Sequence, residues 1–334
     1  MSSCPWTFTG RPDVEVVAAD IGGTHARFAL AEVEGGRVVR LDAPVTLKAA
    51  EHGSLQLAWE QFGRMLGRPL PRAAAIAVAS PIGADVIKLT NNPWVIRPAL
   101  IDERLQVDRH VLINDFGAVG HAVQHADADQ FEHICGPDLA LPEAGVVTIC
   151  GPGTGLGVAQ LLRTDGGYHV LETEGGHIDY APLDGIEDAL VKRLRAQFTR
   201  VSAERVCAGP GIVALYETLA AIEGRTVAAL DDRAIWAAAL EEGDSLALAA
   251  LDRFCLAMGA VAGDLALAQG ARAVVIAGGL GYRLKDRLPL SGFAQRFVAK
   301  GRFQQLMAGL PVKLITHPQP GLFGAAAAFA ARFG

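Results

Sequence analysis

Val14-Glu15-Val16-Val17-Ala18-Ala19-Asp20-Ile21-Gly22-Gly23-Thr24 reads as a buried strand running straight into a glycine turn. The pattern returns far along the chain, where residues 146–150 lead into Gly151-Pro152-Gly153-Thr154-Gly155-Leu156-Gly157. Glycine lets the backbone take positive φ and approach a ligand closely. Bare N–H groups in such a turn form an anion-binding concavity, to which Thr24 or Thr154 adds a hydroxyl. Either stretch alone is as readily an ordinary tight turn. Two of them, similarly built, predict two lobes that grip one polyphosphate.

Working outward, residues 27–33 and 37–41 read as further strands, a hairpin with Gly22 and Gly23 at its tip. Residues 157–162 and 168–171 repeat that unit after the second turn. Short apolar runs predict strands at 73–79, 85–89, 111–113, 273–277 and 312–315. Helical spacing marks 55–66, 116–123, 186–198, 212–222, 233–240, 245–269 and the alanine-rich 321–333. Strands alternating with helices indicate an α/β protein, and the recurring hairpin unit a duplicated architecture.

Composition narrows the function. A chain of 334 residues suits one large or two medium domains, and with half of it apolar, core material is plentiful. A net charge of −6 argues against nucleic acid or an anionic membrane as partner. The cysteines (Cys4, Cys135, Cys150, Cys207, Cys255) are odd in number and scattered, which reads as reduced thiols in a cytosolic protein. Residues 1–13 contain Pro5 and Pro12 and no apolar core of a signal peptide. The apolar run 255–268 is broken by Asp264 and is too short to span a bilayer.

No G-x-x-x-x-G-K-[ST] loop and no protein-kinase catalytic loop is present, and the glycine spacing at 151–157 is not that of a dinucleotide fold. Asp20 adds information to the first turn. A carboxylate beside anion-binding glycines repels phosphate unless a cation sits between, and Mg²⁺ fits. Asn114-Asp115 closes a strand before a helix. The pair is either a polyol site, with Asp115 taking a proton from a hydroxyl that attacks a phosphoryl group, or an Asp N-cap. In Glu174-Gly175-Gly176-His177 the glycines let Glu174 and His177 converge on one small ligand, or His177 bonds only to backbone. Glu204 reads as a helix-surface or capping carboxylate or a third polar ligand. Thr90, Asn91 and Asn92 are hydroxyl binders or turn formers, with Trp94 anchoring their loop. Gly278-Gly279 follows an apolar strand and gives an adenine ring room, or is another strand-to-turn pair.

In order, Asp20 to Thr24, Leu89 to Trp94, Ile113 to Phe116, Gly151 to Gly157, Glu174 to His177, Ser202 to Val206 and Ile276 to Leu280 resemble the bacterial glucokinase family. The match is collinear and nearly chain-long. The resemblance implies a two-lobed, actin-like ATPase/hexokinase (ribonuclease H-like) α/β fold with the active-site cleft between lobes. The lobes would be a small domain of 1–124 plus 317–334 and a large one of 125–316. It implies ATP-dependent phosphorylation of glucose to glucose 6-phosphate at the start of glycolysis, with Mg²⁺, by a cytoplasmic homodimer without nucleic-acid or membrane partner. Carried over, Asn91, Asn114, Asp115, Glu174, His177 and Glu204 would bind glucose, with Asp115 the base for its 6-hydroxyl. Gly22, Gly23, Thr24, Gly153, Thr154 and Gly155 would cradle the phosphates. Gly278 and Gly279 would lie near adenosine, and Asp20 would reach Mg²⁺ through water. His25 departs from the family, which usually has Asn there. The zinc cysteines of the related repressor–kinase group are absent after His177, which favours the zinc-free glucokinases. The alternatives are a kinase for mannose, fructose or N-acetyl-hexosamine, and a non-catalytic sugar sensor on the same fold. An actin-like filament ATPase would not need the sugar set.

Overall fold

The computed structural model describes residues 14–89 and 92–334; Cys4, Thr90 and Asn91 lie outside the described residues. Two units partition the chain: Met1–Ala126 with Pro318–Gly334, and Asp127–His317. The first contains β1 (Val14–Ile21), β2 (His25–Glu34), β3 (Arg37–Leu41), β4 (Val45–Lys48), α1 (Leu55–Leu66) and β5 (Ala73–Val78). It continues through β6 (Ile87–Lys88), β7 (Val95–Ile96), α2 (Ile101–Leu105), β8 (Arg109–Asn114) and α3 (Asp115–His125). The second contains β9 (Phe131–Cys135), β10 (Gly145–Pro152), β11 (Leu156–Thr164), β12 (Gly167–Thr173), α4 (Gly185–Gln197), α5 (Ala203–Cys207) and α6 (Gly211–Ile222). It closes with α7 (Asp232–Ala237), α8 (Ser245–Gln269), β13 (Ala271–Ile276), α9 (Gly279–Arg283), α10 (Phe293–Val298), α11 (Gln304–Ala308) and β14 (Val312–Ile315). The last helix, α12 (Pro320–Phe333), belongs to the first unit.

The duplication is explicit in the sheets. Unit 1 has the order β3-β2-β1-β5-β8, and unit 2 the order β12-β11-β10-β13-β14-β9. In both, the first three strands pair antiparallel as a meander and the next two are added in parallel. The repeat extends to single hydrogen bonds. The N–H of Ala79, just past β5, donates to the carbonyl of Ile21 at 3.0 Å; that of Ala277, just past β13, donates to Cys150 at 2.9 Å. β9, which has no counterpart, pairs antiparallel with β14 at the edge.

Side chains alternate across the first sheet, as the two-residue period of a strand requires. Val17, Ala19, Ile21, Phe28, Ile76 and Val78 face a core with Trp59, Phe62 and Trp94, where Phe28 stacks on Phe62 at 5.5 Å. Val16, Ala18, Ala29, Ala31 and Ala73–Ala77 alternates face Leu322, Ala325, Ala326 and Phe329 of α12. The small alanines on this second face let helix and sheet approach closely. α12 also packs on α3, where a Cβ at Gly324 would collide with the carbonyl of Ala118.

α8 is the buried spine of unit 2, set against α6, α10, β10 and β13. It spans the 245–269 expected from its spacing, and at 25 residues it is, by length and composition, long and apolar enough to cross a membrane, which the 255–268 run alone is not. Its apolar window is 72% buried inside the protein, so its hydrophobicity is accounted for by the core. Gly259 and Gly263, one turn apart, leave room for the backbone of Phe293 and Phe297 on α10. Lys300, its side chain largely covered, closes this contact, donating to Ala260 O at 2.9 Å and pairing with Asp264 at 2.7 Å.

Two expectations change markedly in extent. The strand expected at 85–89 is reduced to the two residues of β6. The helix expected at 233–240 ends at Ala237 and widens into a π turn over Ala238–Glu242, closed by left-handed Gly243. Strands β4 and β9 and helices α2, α10 and α11 arise where no periodic run announces them. Gly324→Ala should destabilise the protein by about 1–3 kcal/mol, because neither backbone at the α12–α3 contact can yield cheaply. The shift in urea midpoint measures it.

Candidate active site

The parallel registers bring the functional positions of unit 1 to one edge. Ile21 is level with Val78, and Val78 with Asn114, so β1, β5 and β8 end side by side. The glycine turn projects from this edge. Its Gly22 N–H donates to His25 O at 2.9 Å, and the Thr24 carbonyl accepts from Ala49 N at 2.9 Å. Asn92 supports the turn from below: its Nδ2 donates to Gly22 O at 2.9 Å and its Oδ1 accepts from Trp94 N at 2.9 Å. Asn92 is therefore a turn former, and Trp94 anchors the loop, buried and donating through Nε1 to His52 O at 2.7 Å. His25 is exposed at the start of β2.

Asp20 lies one residue before the edge, opposite Arg27, whose Nη1 donates to Oδ2 at 3.1 Å. Burial pushes its carboxyl above the ordinary aspartate range, and the charge and hydrogen bond of Arg27 pull it back only in part. A Cβ on Gly321, at the start of α12, would stand 2.9 Å from Asp20 Oδ2. That glycine keeps access to the carboxylate open.

Asn114, not Asp115, caps α3. Its Oδ1 accepts from the N–H groups of Phe116 at 2.9 Å and Gly117 at 3.3 Å, while its Nδ2 donates to Ser80 O at 3.3 Å. The Asp N-cap alternative is thus corrected: Asp115 is the first residue inside the helix. There it is half-buried, and its Oδ1 accepts from Phe116 N at 2.9 Å.

In unit 2 the corresponding edge carries a tighter turn. Gly153 N–H donates to Gly155 O at 2.8 Å, and Gly153 O accepts from Gly209 N at 2.8 Å. The amides of Thr154 and Gly155 have no partner among the described residues. None of Gly22, Gly23, Gly153 and Gly155 adopts positive φ, so the left-handed role expected of them is not what they supply. Space is the requirement at Gly155, where a Cβ would sit 2.5 Å from Glu204 Oε2. Gly278 does have φ +81°, folded against the carbonyl of Pro152 as the chain enters α9 at Gly279.

Glu174, His177 and Glu204 come together. Gly175-Gly176-His177 form a single 3₁₀ turn, and side chains at either glycine would clash with β11, at Val158 and at the Leu156 carbonyl. The turn holds His177 Nε2 at 3.8 Å from Glu174 Oε2 and 4.0 Å from Glu204 Oε1. His177 thus faces two carboxylates rather than bonding only to backbone. Glu204 is not a plain helix-surface residue either, since its Oε2 accepts from Leu156 N at 2.9 Å. The two segments are stitched by Ala203 N to Ile178 O, 2.8 Å, and Tyr180 N to Val201 O, 3.0 Å. Asn91 lies outside the described residues. Arg27 and Gly321 were missed as site residues; an arginine and a glycine carry no local signal of the carboxylate they meet in the fold.

Duplicated sheets of this order, each with a glycine-tipped hairpin, define the actin-like ATPase/hexokinase class. Within it, a family profile described as Glucokinase matches residues 17–332. The chain is 65% identical to a glucokinase of Zymomonas mobilis subsp. mobilis, over 96% of this chain and 99% of that one. Among solved structures, a glucokinase from an Antarctic psychrotroph has a TM-score of 0.81 at 36% identity, covering 94% of this chain and 98% of its own. A Balamuthia mandrillaris glucokinase in complex with glucose shares the fold, with a TM-score of 0.76 at 20% identity over 96% and 94%. The chain belongs to the glucokinase family.

The raised Asp20 pKa has a consequence for stability. Its native state favours the protonated form, so the ionised carboxylate costs stability above the native pKa, and the cost fades as pH falls through it. Asp20→Asn should therefore melt above the parent at pH 7, and the gap should shrink at acid pH. Melting curves across pH check this.

Proposed function

We propose that this protein transfers the γ-phosphoryl group of ATP to the 6-hydroxyl of D-glucose, with Asp115 as general base. The observation that carries the reading is the division of labour at the start of α3. Asn114 takes the capping bonds, which sets the neighbouring Asp115 carboxylate at the first residue of α3, at the end of β8. The chain-long likeness to a Zymomonas mobilis glucokinase, and the glucose complex of the Balamuthia mandrillaris glucokinase, support the substrate.

Glucose hydroxyls would be held by Asn91, Asn114, Asp115, Glu174, His177 and Glu204. A sugar hydroxyl that is missing or inverted would leave a polar group unpaired, at about 1–3 kcal/mol each, and this discriminates among hexoses. The phosphates would meet Gly22, Gly23, Thr24, Gly153, Thr154 and Gly155. Of these, the Thr154 and Gly155 amides are the best placed donors, because Gly22 and Gly153 spend theirs inside the turns. Adenosine would lie by Gly278 and Gly279.

Asp20 fits a divalent cation: a buried carboxyl only partly compensated by Arg27, with Gly321 leaving its oxygens room. One carboxylate with water and phosphate oxygens is a usual way for Mg²⁺ to be held. Bound there, Mg²⁺ would neutralise charge developing on the phosphates. The chain's own part is positioning, and proton removal at the 6-hydroxyl by Asp115. We place the enzyme in the cytoplasm as a homodimer.

Asp115→Asn should retain glucose binding within a few-fold and lose about 10²–10⁴-fold in kcat. A coupled assay with glucose, mannose, fructose and N-acetylglucosamine reads both the loss and the preference. Near-parental turnover in the variant would remove Asp115 from the base role.

A further inference from the structure

Glu204 touches more than its neighbours in the sugar set. One carboxylate oxygen, Oε2, accepts the N–H of Leu156, the residue that closes the second glycine turn. The other, Oε1, is turned toward His177. The same oxygen that holds Leu156 fills the space where Gly155 would carry a side chain. Five residues on, Gly209 N–H donates to Gly153 O at 2.8 Å, and Trp236 Nε1 fixes Gly209 O at 3.0 Å. A single short segment therefore clamps both ends of the turn, with Glu204 on Leu156 and Gly209 on Gly153. Only the Glu204 end is a side chain that a ligand can reorient, being 29% exposed.

We infer that Glu204 is a positioning residue for the phosphate turn, and that glucose and nucleotide bind with positive coupling through its two oxygens. The inference rests on Glu204 holding a sugar hydroxyl. A hydroxyl on Oε1 fixes the carboxylate plane, which fixes Oε2 on Leu156 N–H. The Thr154 and Gly155 amides are then presented in one arrangement instead of several. Charge-assisted N–H···carboxylate bonds are among the stronger single contacts available for such a link. Binding linkage is reciprocal, so a nucleotide that orders the turn must favour the sugar by the same factor.

Reciprocity supplies the test. AMPPNP with Mg²⁺ is titrated calorimetrically into protein with and without glucose, and glucose into protein with and without AMPPNP. In the parent each should bind several-fold tighter with the other present, by the same factor, and equal affinities would overturn the inference. Glu204→Ala should weaken AMPPNP about tenfold with no sugar present, within the usual range of such couplings. Glu174→Ala, which removes a sugar carboxylate with no bond to the turn, should leave sugar-free AMPPNP affinity unchanged. Glu204→Gln keeps a carbonyl acceptor for Leu156 and should lose less than Glu204→Ala, separating positioning from misfolding. Gly155→Ala, a change in the phosphate turn, should weaken glucose several-fold with no nucleotide present, because its Cβ displaces the Glu204 carboxylate. Equal AMPPNP affinities for the two alanine variants, or parental glucose affinity in Gly155→Ala, would overturn the inference. Parental glucose affinity in Glu204→Ala would instead remove Glu204 from the sugar set, and the coupling with it.

Discussion

Parallel pairing in the middle of each sheet is the constraint on which the remainder depends. Neighbouring strands lie about 4.8 Å apart. Once β1, β5 and β8 are level at Ile21, Val78 and Asn114, the first glycine turn and the Asn114–Asp115 corner are fixed about two strand spacings apart. The same register in unit 2 levels Cys150 with Ile276 and brings the second turn against Gly278. Functional loops can only be as well placed as the strands beneath them. Here the strands are packed on both faces with alanine, valine and phenylalanine that leave little freedom.

Each glycine turn is braced by a side chain from outside it. Asn92 donates to Gly22 O in the first, and Glu204 accepts from Leu156 N in the second. The chemistry of the brace differs: a neutral amide against a carbonyl, and a carboxylate against an amide. A neutral brace is indifferent to nearby charge, whereas a carboxylate brace repels any anion that approaches the turn unless a partner such as the Leu156 N–H holds it.

Much of this architecture is readable in the chain before any coordinates. The strands of both meanders and α1, α8 and β14 follow from apolar runs and helical spacing, because burial on a regular element imposes a period. β9 and α10 are not readable, since Phe131–Cys135 is a strand only by virtue of β14, some 180 positions later, and six residues are too few to show a helical period. The expected site residues are picked out as an ordered set only through family resemblance. What holds them is not: the cap by Asn114, the Asn92 brace and the room left by Gly321 depend on contacts distant in sequence. The turn glycines teach the same lesson. Local rules assign them to left-handed backbone, and the folded protein uses Gly155 to make room for a carboxylate.

α12 comes last in the chain yet fills one face of the first sheet, with Leu322, Ala325, Ala326 and Phe329 against β1, β2 and β5. Domains generally fold as units during synthesis. Unit 1, although translated first, cannot bury that face until the final fourteen-residue helix has left the ribosome. Unit 2 is contiguous from Asp127 to His317 and has no such dependence. The order of synthesis is thus the reverse of the order of completion. Until α12 is made, the alanine-lined face of the first sheet lacks the helix that covers it in the folded protein.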